Sequence, residues 1–486
     1  MLRKVGAKQT EMEMVTLEQL VPEDHLLRLI ERHIEFGFIR EKTEHLYSAD
    51  NGRPAVDPVL MFKMLFIGYL YGVRSERQLV REVEVNVAYR WFLGMGLAEK
   101  VMDASTFSQN RRRRFSGTGI EQEIFDAIVE QAMRRGLVGG HELYSDSTLV
   151  RASANKNRKA LHTVDVKPAE WLAELEAAVE EERRERGKKP LPAKKDAEPE
   201  RREVTASPVD PDAGYVRREG KAEGFYYSDH RTVDGKCNIV LDVHVTSAGV
   251  HDSAPYLGRL ARVEERFAIE PEAAGLDAAY NTPAICKGLV EAGIFGVVAY
   301  GRPVHKEGCF YKRQYAYDEG RDCYVCPAGE RLDYRTTDRE GYRHYAAEAR
   351  ACESCPLRGS CTKTPKGAKS VIRHLWEGFK EEVAANRKSE RGGRILERRR
   401  ETVERSFADA KTLHCHRWAR YRGLAKVQGQ ALLSAACQNM KKIARVLAMR
   451  LGEPSLPPLQ PLRALLPLAA NSLLRFFRPL AFAFSN

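Results

Sequence analysis

The succession of elements between residues 141 and 300 constrains the fold more than any other feature of the chain. His141-Glu-Leu-Tyr-Ser-Asp146-Ser-Thr-Leu-Val-Arg151 has the pattern of a short strand carrying an acid at a fixed place. Gly224-Phe-Tyr-Tyr-Ser-Asp, a turn at Val233-Asp-Gly-Lys, and Cys237-Asn-Ile-Val-Leu-Asp-Val-His-Val-Thr make a hairpin pattern. A helix over 252–267 follows, then Glu272-Ala-Ala-Gly-Leu-Asp277 as a second short strand ending in an acid, a helix over 284–292 and a strand over 294–300. Strand, hairpin, helix, strand, helix, strand predicts a mixed sheet covered by helices.

That sheet uses only part of 486 residues, and a hydrophobic content of 43% is enough for two or three cores. Residues 1–135 are expected to form a helical N-terminal DNA-binding domain. Apolar residues recur at helical spacing over Leu17 to Phe38, and Asp57-Pro58 supplies an N-cap and a first-turn proline for a strongly apolar helix. Ser75-Glu76 starts a helix running to about Phe92, and Asp103 starts another ending in Arg111, Arg112, Arg113 and Arg114. Ile120, Ile124, Ile128 and Ala132 mark a further amphipathic helix leading into the sheet. Short helices ending in a basic run suggest a helix-turn-helix-like module, with a plain helical bundle as the alternative. The formal charge of +12 and pI near 9.1 suit a polyanion, and nucleic acid leads because the excess gathers in arginine clusters at 111–114 and 398–400. Met1-Leu-Arg-Lys is not followed by an apolar run, and Met61 to Val73 is too short to span a bilayer and carries Lys63. Neither secretion nor a membrane is expected; the compartment expected is the cytoplasm.

Two stretches interrupt the pattern. Residues 155–223 are a charged insertion in which 169–186 suit a helix and Lys188 to Asp212 has the composition of a flexible linker. Residues 301–370 hold six of the ten cysteines. Cys323-x2-Cys326 and Cys352-x2-Cys355 carry four thiolates able to close a tetrahedral zinc site, with Cys309 and Cys361 as substitute ligands. An iron–sulfur cluster or plain reduced thiols are the alternatives. Residues 371–450 are assigned back to the sheet domain. The tail, 451–486, is rich in proline and leucine but broken by Arg463, Arg475 and Arg478, which suits a loosely ordered end or a partner surface.

Arg391 to Lys411 packs six arginines and three glutamates into its first fifteen residues without a proline, which predicts a helix. At 100° per residue Glu397, Arg400, Glu404 and Lys411 share one stripe beside Val403 and Phe407. A solvated, salt-bridged face is the plain explanation of such a run. With Asp146 and Asp277, however, Glu404 makes a third carboxylate drawn from distant elements of one sheet, which is what a two-metal phosphoryl-transfer site requires.

These blocks together resemble a known family, the bacterial insertion-sequence transposases of the DDE class, from about residue 15 to 450. Asp57-Pro-Val-Leu-Met-Phe-Lys-Met-Leu to Thr106-Phe-Ser looks like their helical N-terminal domain. Tyr144-Ser-Asp146-Ser-Thr looks like the block of the first catalytic aspartate and Gly275-Leu-Asp277-Ala-Ala-Tyr280 like that of the second. Arg400, Glu404 and Lys411 match a signature with arginine four before the glutamate and lysine seven after it; the tyrosine usual seven before is Glu397 here. The resemblance implies an α/β ribonuclease H-like (retroviral-integrase-like) catalytic domain with a mixed sheet, an all-α N-terminal domain and a small cysteine-rich insertion. It implies a cut-and-paste enzyme that binds terminal inverted repeats of double-stranded DNA, cleaves, and joins 3′-hydroxyl ends to target DNA as a homodimer or larger assembly. Asp146, Asp277 and Glu404 would hold two Mg²⁺ (or Mn²⁺) ions, Arg400 and Lys411 would clamp phosphates, and Arg111 to Arg114 and Lys156 to Lys159 would contact the DNA backbone. A ribonuclease H-like nuclease or resolvase that never joins ends, and an inactive DNA-binding descendant, are the alternatives.

Overall fold

The computed structural model describes residues 12–48, 55–165, 171–192, 201–218, 220–301, 307–362 and 368–454. The sheet predicted from the element order is formed by β1 (Glu142–Arg151), β4 (Gly214–Val216), β5 (Gly224–Asp234), β6 (Val240–Ser247), β7 (Ala273–Leu276) and β8 (Phe295–Val298), with β2 (Ala160–Asp165) and β3 (Arg201–Ala206) forming a separate ribbon. β5 lies antiparallel between β1 and β6, β4 extends its β6 edge, and β1, β7 and β8 run parallel. The helix Tyr256–Phe267 carries the chain from β6 to β7, and Pro283–Glu291 makes the crossover that parallel β7 and β8 require. Every residue of β5 is buried, which marks it as the centre of the molecule.

The N-terminal helices share this core. One apolar cluster runs from Val21 to Ala448, and the long helix Leu424–Leu451 packs against Leu26–His33, Pro58–Leu70, Ile120–Arg134 and β6. Asp57 caps Pro58–Leu70 as expected, its carboxylate accepting the Val59 N–H at 2.9 Å. That helix is apolar all round, and Met61, Phe62 and Met64 to Leu70 are buried accordingly. The helix expected from Ser75 to Phe92 is two, Glu76–Val85 and Val87–Leu93. Asn86 breaks it by accepting the N–H groups of Ala88 and Tyr89 and so capping the second piece.

The flexible linker expected over Lys188 to Asp212 needs correction. β3 pairs antiparallel with β2 through residues 201–206, and Asp210 is buried, accepting from the Tyr227 hydroxyl at 2.6 Å and the Gly423 N–H at 3.0 Å. Cross-strand partners and residues distant in the sequence supply what composition cannot show. The helix expected over 169–186 is present as Leu172–Glu185.

The cysteine-bearing segment is a five-stranded antiparallel meander: β9 (Ala316–Asp318), β10 (Cys323–Val325), β11 (Arg331–Thr337), β12 (Tyr342–Ala346) and β13 (Ser370–His374). Tyr315, Tyr324, Leu332, Tyr345 and Val371 form its own small core. From β13 the chain passes through helices Glu377–Lys388, Glu390–Glu401 and Val403–Leu413. The single helix expected over Arg391 to Lys411 is therefore broken, at Thr402 with φ −104° and ψ −94°, and the four-residue stripe does not continue across it. The expected tail from Pro454 falls almost wholly outside the described residues.

Candidate active site

Parallel pairing of β1 with β7 places two acids side by side. Ser145 is the register partner of Leu276, so Asp146 and Asp277 each follow one residue later on adjacent strands. Asp277 stands where β7 ends, and its carboxylate accepts the Ala278 N–H at 2.5 Å to cap a short 3₁₀ turn. Asp146 accepts the Ser147 N–H at 2.7 Å. The third acid comes from the helix after the kink. Arg399 donates from Nη2 to Asp146 Oδ2 at 2.9 Å, and its Nη1 lies 3.7 Å from Glu404 Oε1. The break at Thr402 allows Arg399, on one helix, and Glu404, on the next, to face the same strand end.

Electrostatics tie the three together. Burial pushes the Asp146 carboxyl up to about 6; Arg399 and the Ser147 N–H oppose the rise, while the charges of Asp277 and Glu404 add to it. Lys411 donates to the Thr148 hydroxyl, two residues beyond Asp146 on the same face of β1. Burial, with Lys221 and Arg417 nearby, holds its ammonium below the usual lysine range.

Behind this group lies a buried polar network that sequence reasoning missed. Arg231, the register partner of Asp146, donates from Nε to Asp229 at 3.0 Å and from Nη1 to Gln438 at 2.6 Å and Ser406 at 3.1 Å. His416 meets the same Asp229 oxygen at 2.9 Å. Burial would raise the Asp229 carboxyl, but Arg231 and His416 hold it well below the usual carboxylate range. Asp229 and Arg231 alternate on one strand, so the spacing was visible; their partners, Ser406 and Gln438 on helices and His416 in the turn between those helices, lie 175 residues or more away.

The basic residues divide. Arg400 is exposed, and the arginine that touches the acids is its neighbour Arg399, whose buried Nε has no partner. Arg111 is engaged within the protein, donating to Glu76 at 2.7 Å and stacking 4.4 Å from the Tyr421 ring centroid, and Arg114 lies over Tyr47 at 4.3 Å. Arg112 and Arg113 are exposed. Arg111 and Arg112 line one side of an open groove whose other side carries Arg420, Arg422 and Lys426. Lys156 is exposed, whereas Lys159 lies 3.6 Å from Glu223.

Around the meander, Cys326, Cys352 and Cys361 pack against the aromatic cluster, and the Cys361 sulfur meets the Tyr315 hydroxyl at 3.0 Å. Cys323 is buried apart from that cluster, beside Arg331. None of the ten cysteines forms a disulfide. Among the described residues no three His, Cys, Asp or Glu side chains converge on one ligation point. At the acids, the Arg399 guanidinium stands between Asp146 and Glu404.

The mixed sheet and its covering helices fit a ribonuclease H-like transposase fold. Two family models match: a transposase domain (DUF772) over residues 15–113 and a transposase DDE domain over residues 325–444. Both matched models are transposase domains, and together they support a DDE-type transposase. The second match contains Glu404 and Lys411, while Asp146 and Asp277 precede it. No curated protein matches the sequence. Distant likenesses exist to a piggyBac transposase synaptic complex with hairpin DNA (10% identity, TM-score 0.36, 89% of this chain and 76% of that one) and to a Mos1 transposase paired-end complex with left transposon end (13% identity, TM-score 0.15, 52% and 61%). Both are too remote to bear on the chemistry of this chain. Among the described residues no helix is long and apolar enough to cross a membrane.

Proposed function

We propose that the chain binds the terminal inverted repeats of a mobile element, cleaves double-stranded DNA at their ends and joins the freed 3′-hydroxyls to target DNA. The observation that carries this reading is the grouping of Asp146 in the middle of β1, Asp277 just past the end of β7 and Glu404 on the helix Val403–Leu413, the charges of the last two both acting on Asp146. Their hard oxygen donors suit Mg²⁺ or Mn²⁺, and burial, with the charges of Asp277 and Glu404, pushes the Asp146 carboxyl up. Such ions, when bound, activate the attacking oxygen and neutralise the leaving one.

The chain's own residues set the stage for that chemistry. Arg399 orients Asp146 and Glu404 against each other. Lys411, fixed on Thr148, offers a cation to phosphate beside the acids, and exposed Arg400 extends the same service outward. The groove of Arg111, Arg112, Arg420, Arg422 and Lys426 suits backbone phosphates, with binding that weakens steeply as salt rises. Joining two ends calls for at least a dimer. In the meander, thiolates drawn from Cys309, Cys326, Cys352 and Cys361 are the candidates for a structural zinc, with Cys323 set apart beside Arg331.

The test uses the repeats flanking the gene. Asp146→Asn, Asp277→Asn and Glu404→Gln are each expected to lower Mg²⁺-dependent cleavage of a repeat-end duplex by roughly a hundredfold or more while repeat binding persists. Undiminished cutting by one variant removes that residue from the site. Cleavage by the unaltered protein without joining of precut ends would instead mark a nuclease.

A further inference from the structure

A second cavity, of about 220 Å³, opens between helices Val403–Leu413 and Leu424–Leu451 and the turn from β5 to β6. None of the three acids lines it. Arg405, Lys441, Lys442 and Arg445 do, against two carboxylates, Glu401 and Asp409. Among the described residues none of these four cations reaches a carboxylate at salt-bridge distance. Lys442 donates only to the Asn238 carbonyl oxygen, and burial together with Arg231, Lys441 and Arg405 pulls its ammonium down to about 7 despite Asp409. Burial likewise lowers Lys441 and Arg445. Crowding like charges in a partly desolvated recess is costly unless an anion enters.

A second feature points the same way. His414, 2% exposed, also lines the cavity. Its Nδ1 lies 2.9 Å from the Tyr69 carbonyl oxygen and so carries the proton, which leaves the buried Nε2 without a hydrogen-bond partner among the described residues. Four cation donors complement an oxyanion such as phosphate, and the waiting acceptor can also take a hydrogen bond from one that carries an O–H.

We propose that this cavity binds a phosphate group, whether inorganic phosphate, a terminal phosphate or a backbone phosphodiester of a nucleic acid. Glu401 and Thr402 belong to its wall, so the occupant sits against the kink that sets Glu404 relative to Arg399. The site is independent of the role given to the carboxylates, and Asp146→Asn should leave its affinity unchanged.

The experiment titrates inorganic phosphate into the full-length protein at constant ionic strength, with chloride as control, by calorimetry and by thermal unfolding. A saturable rise in the unfolding midpoint is expected. Lys441→Gln/Arg445→Gln should weaken the apparent affinity at least tenfold and raise the phosphate-free midpoint by relieving repulsion, while Lys441→Arg/Arg445→Lys keeps the response. Competition by blunt duplex with 5′-hydroxyl ends identifies the diester as a ligand; competition only by 5′-phosphorylated DNA identifies the monoester. The same response in the wild type and the Gln double variant, or no phosphate effect beyond chloride in the wild type, overturns the proposal.

Discussion

Asp229, Arg231 and His416 show how much of this site rests on one buried charge pair. Asp229 and Arg231 are fully buried, and Arg231 alone links β5 to Ser406 and Gln438 on two helices. Removing one partner of such a pair strands the other in a medium that cannot solvate it. Arg231→Ala is expected to cost about 3–5 kcal/mol of stability, measured by urea denaturation at pH 7.5. A loss under about 1 kcal/mol would mean that water or His416 replaces the guanidinium. Single residues also explain a mismatch with the sequence pattern: the arginine on the Glu404 stripe of an unbroken helix is Arg400, yet a backbone turn at Thr402 presents Arg399 instead.

At the scale of elements, the close junction of three successive helices determines where Glu404 stands. Gly392 lies where the helix Glu390–Glu401 leaves the end of Glu377–Lys388. A Cβ there would sit 2.1 Å from the Asn386 carbonyl oxygen and 2.9 Å from the Arg387 Cα, backbone atoms with no room to yield. Gly392→Ala should therefore cost about 1–3 kcal/mol and reduce cleavage by displacing Arg399; a variant of full stability and activity would contradict this packing. The meander is the element least visible beforehand, because its strands are three to seven residues long and its tyrosine alternation is interrupted by cysteines. If its thiolates hold zinc, metal analysis of purified protein gives about one zinc per chain. Cys352→Ser would then lose that metal, and Cys323→Ser would retain it.

For the whole molecule, one core joins the N-terminal helices to the sheet, so acid should act on all of it together. His230 and His414 are buried deep in that core, and burial lowers each to about 3. A base depressed in the folded state contributes stability that is complete above its unfolded value near 6.5 and is lost as pH falls toward the folded value. Between pH 6.5 and 5.5 the two together should remove about 2 kcal/mol, and urea midpoints across that window measure it. A flat profile would show that neither ring is held unprotonated by the fold, and a loss of about 1 kcal/mol that only one is.

Residue order alone was enough for the succession of elements, the caps at Asp57 and Ser75, and the strands that carry Asp146 and lead up to Asp277; the matched pattern adds Glu404 as the proposed third acid. These are local matters, carried by periodicity, turn chemistry and short motifs. Long-range contacts were needed to make β1 and β7 parallel neighbours in a register that aligns Asp146 with Asp277, and to set Arg399 between Asp146 and Glu404. The same contacts order part of a linker-like stretch as the β2–β3 ribbon and turn four cations toward one cavity. Register, kinks and charge crowding arise from partners far apart in the chain, and no local pattern encodes a distant partner.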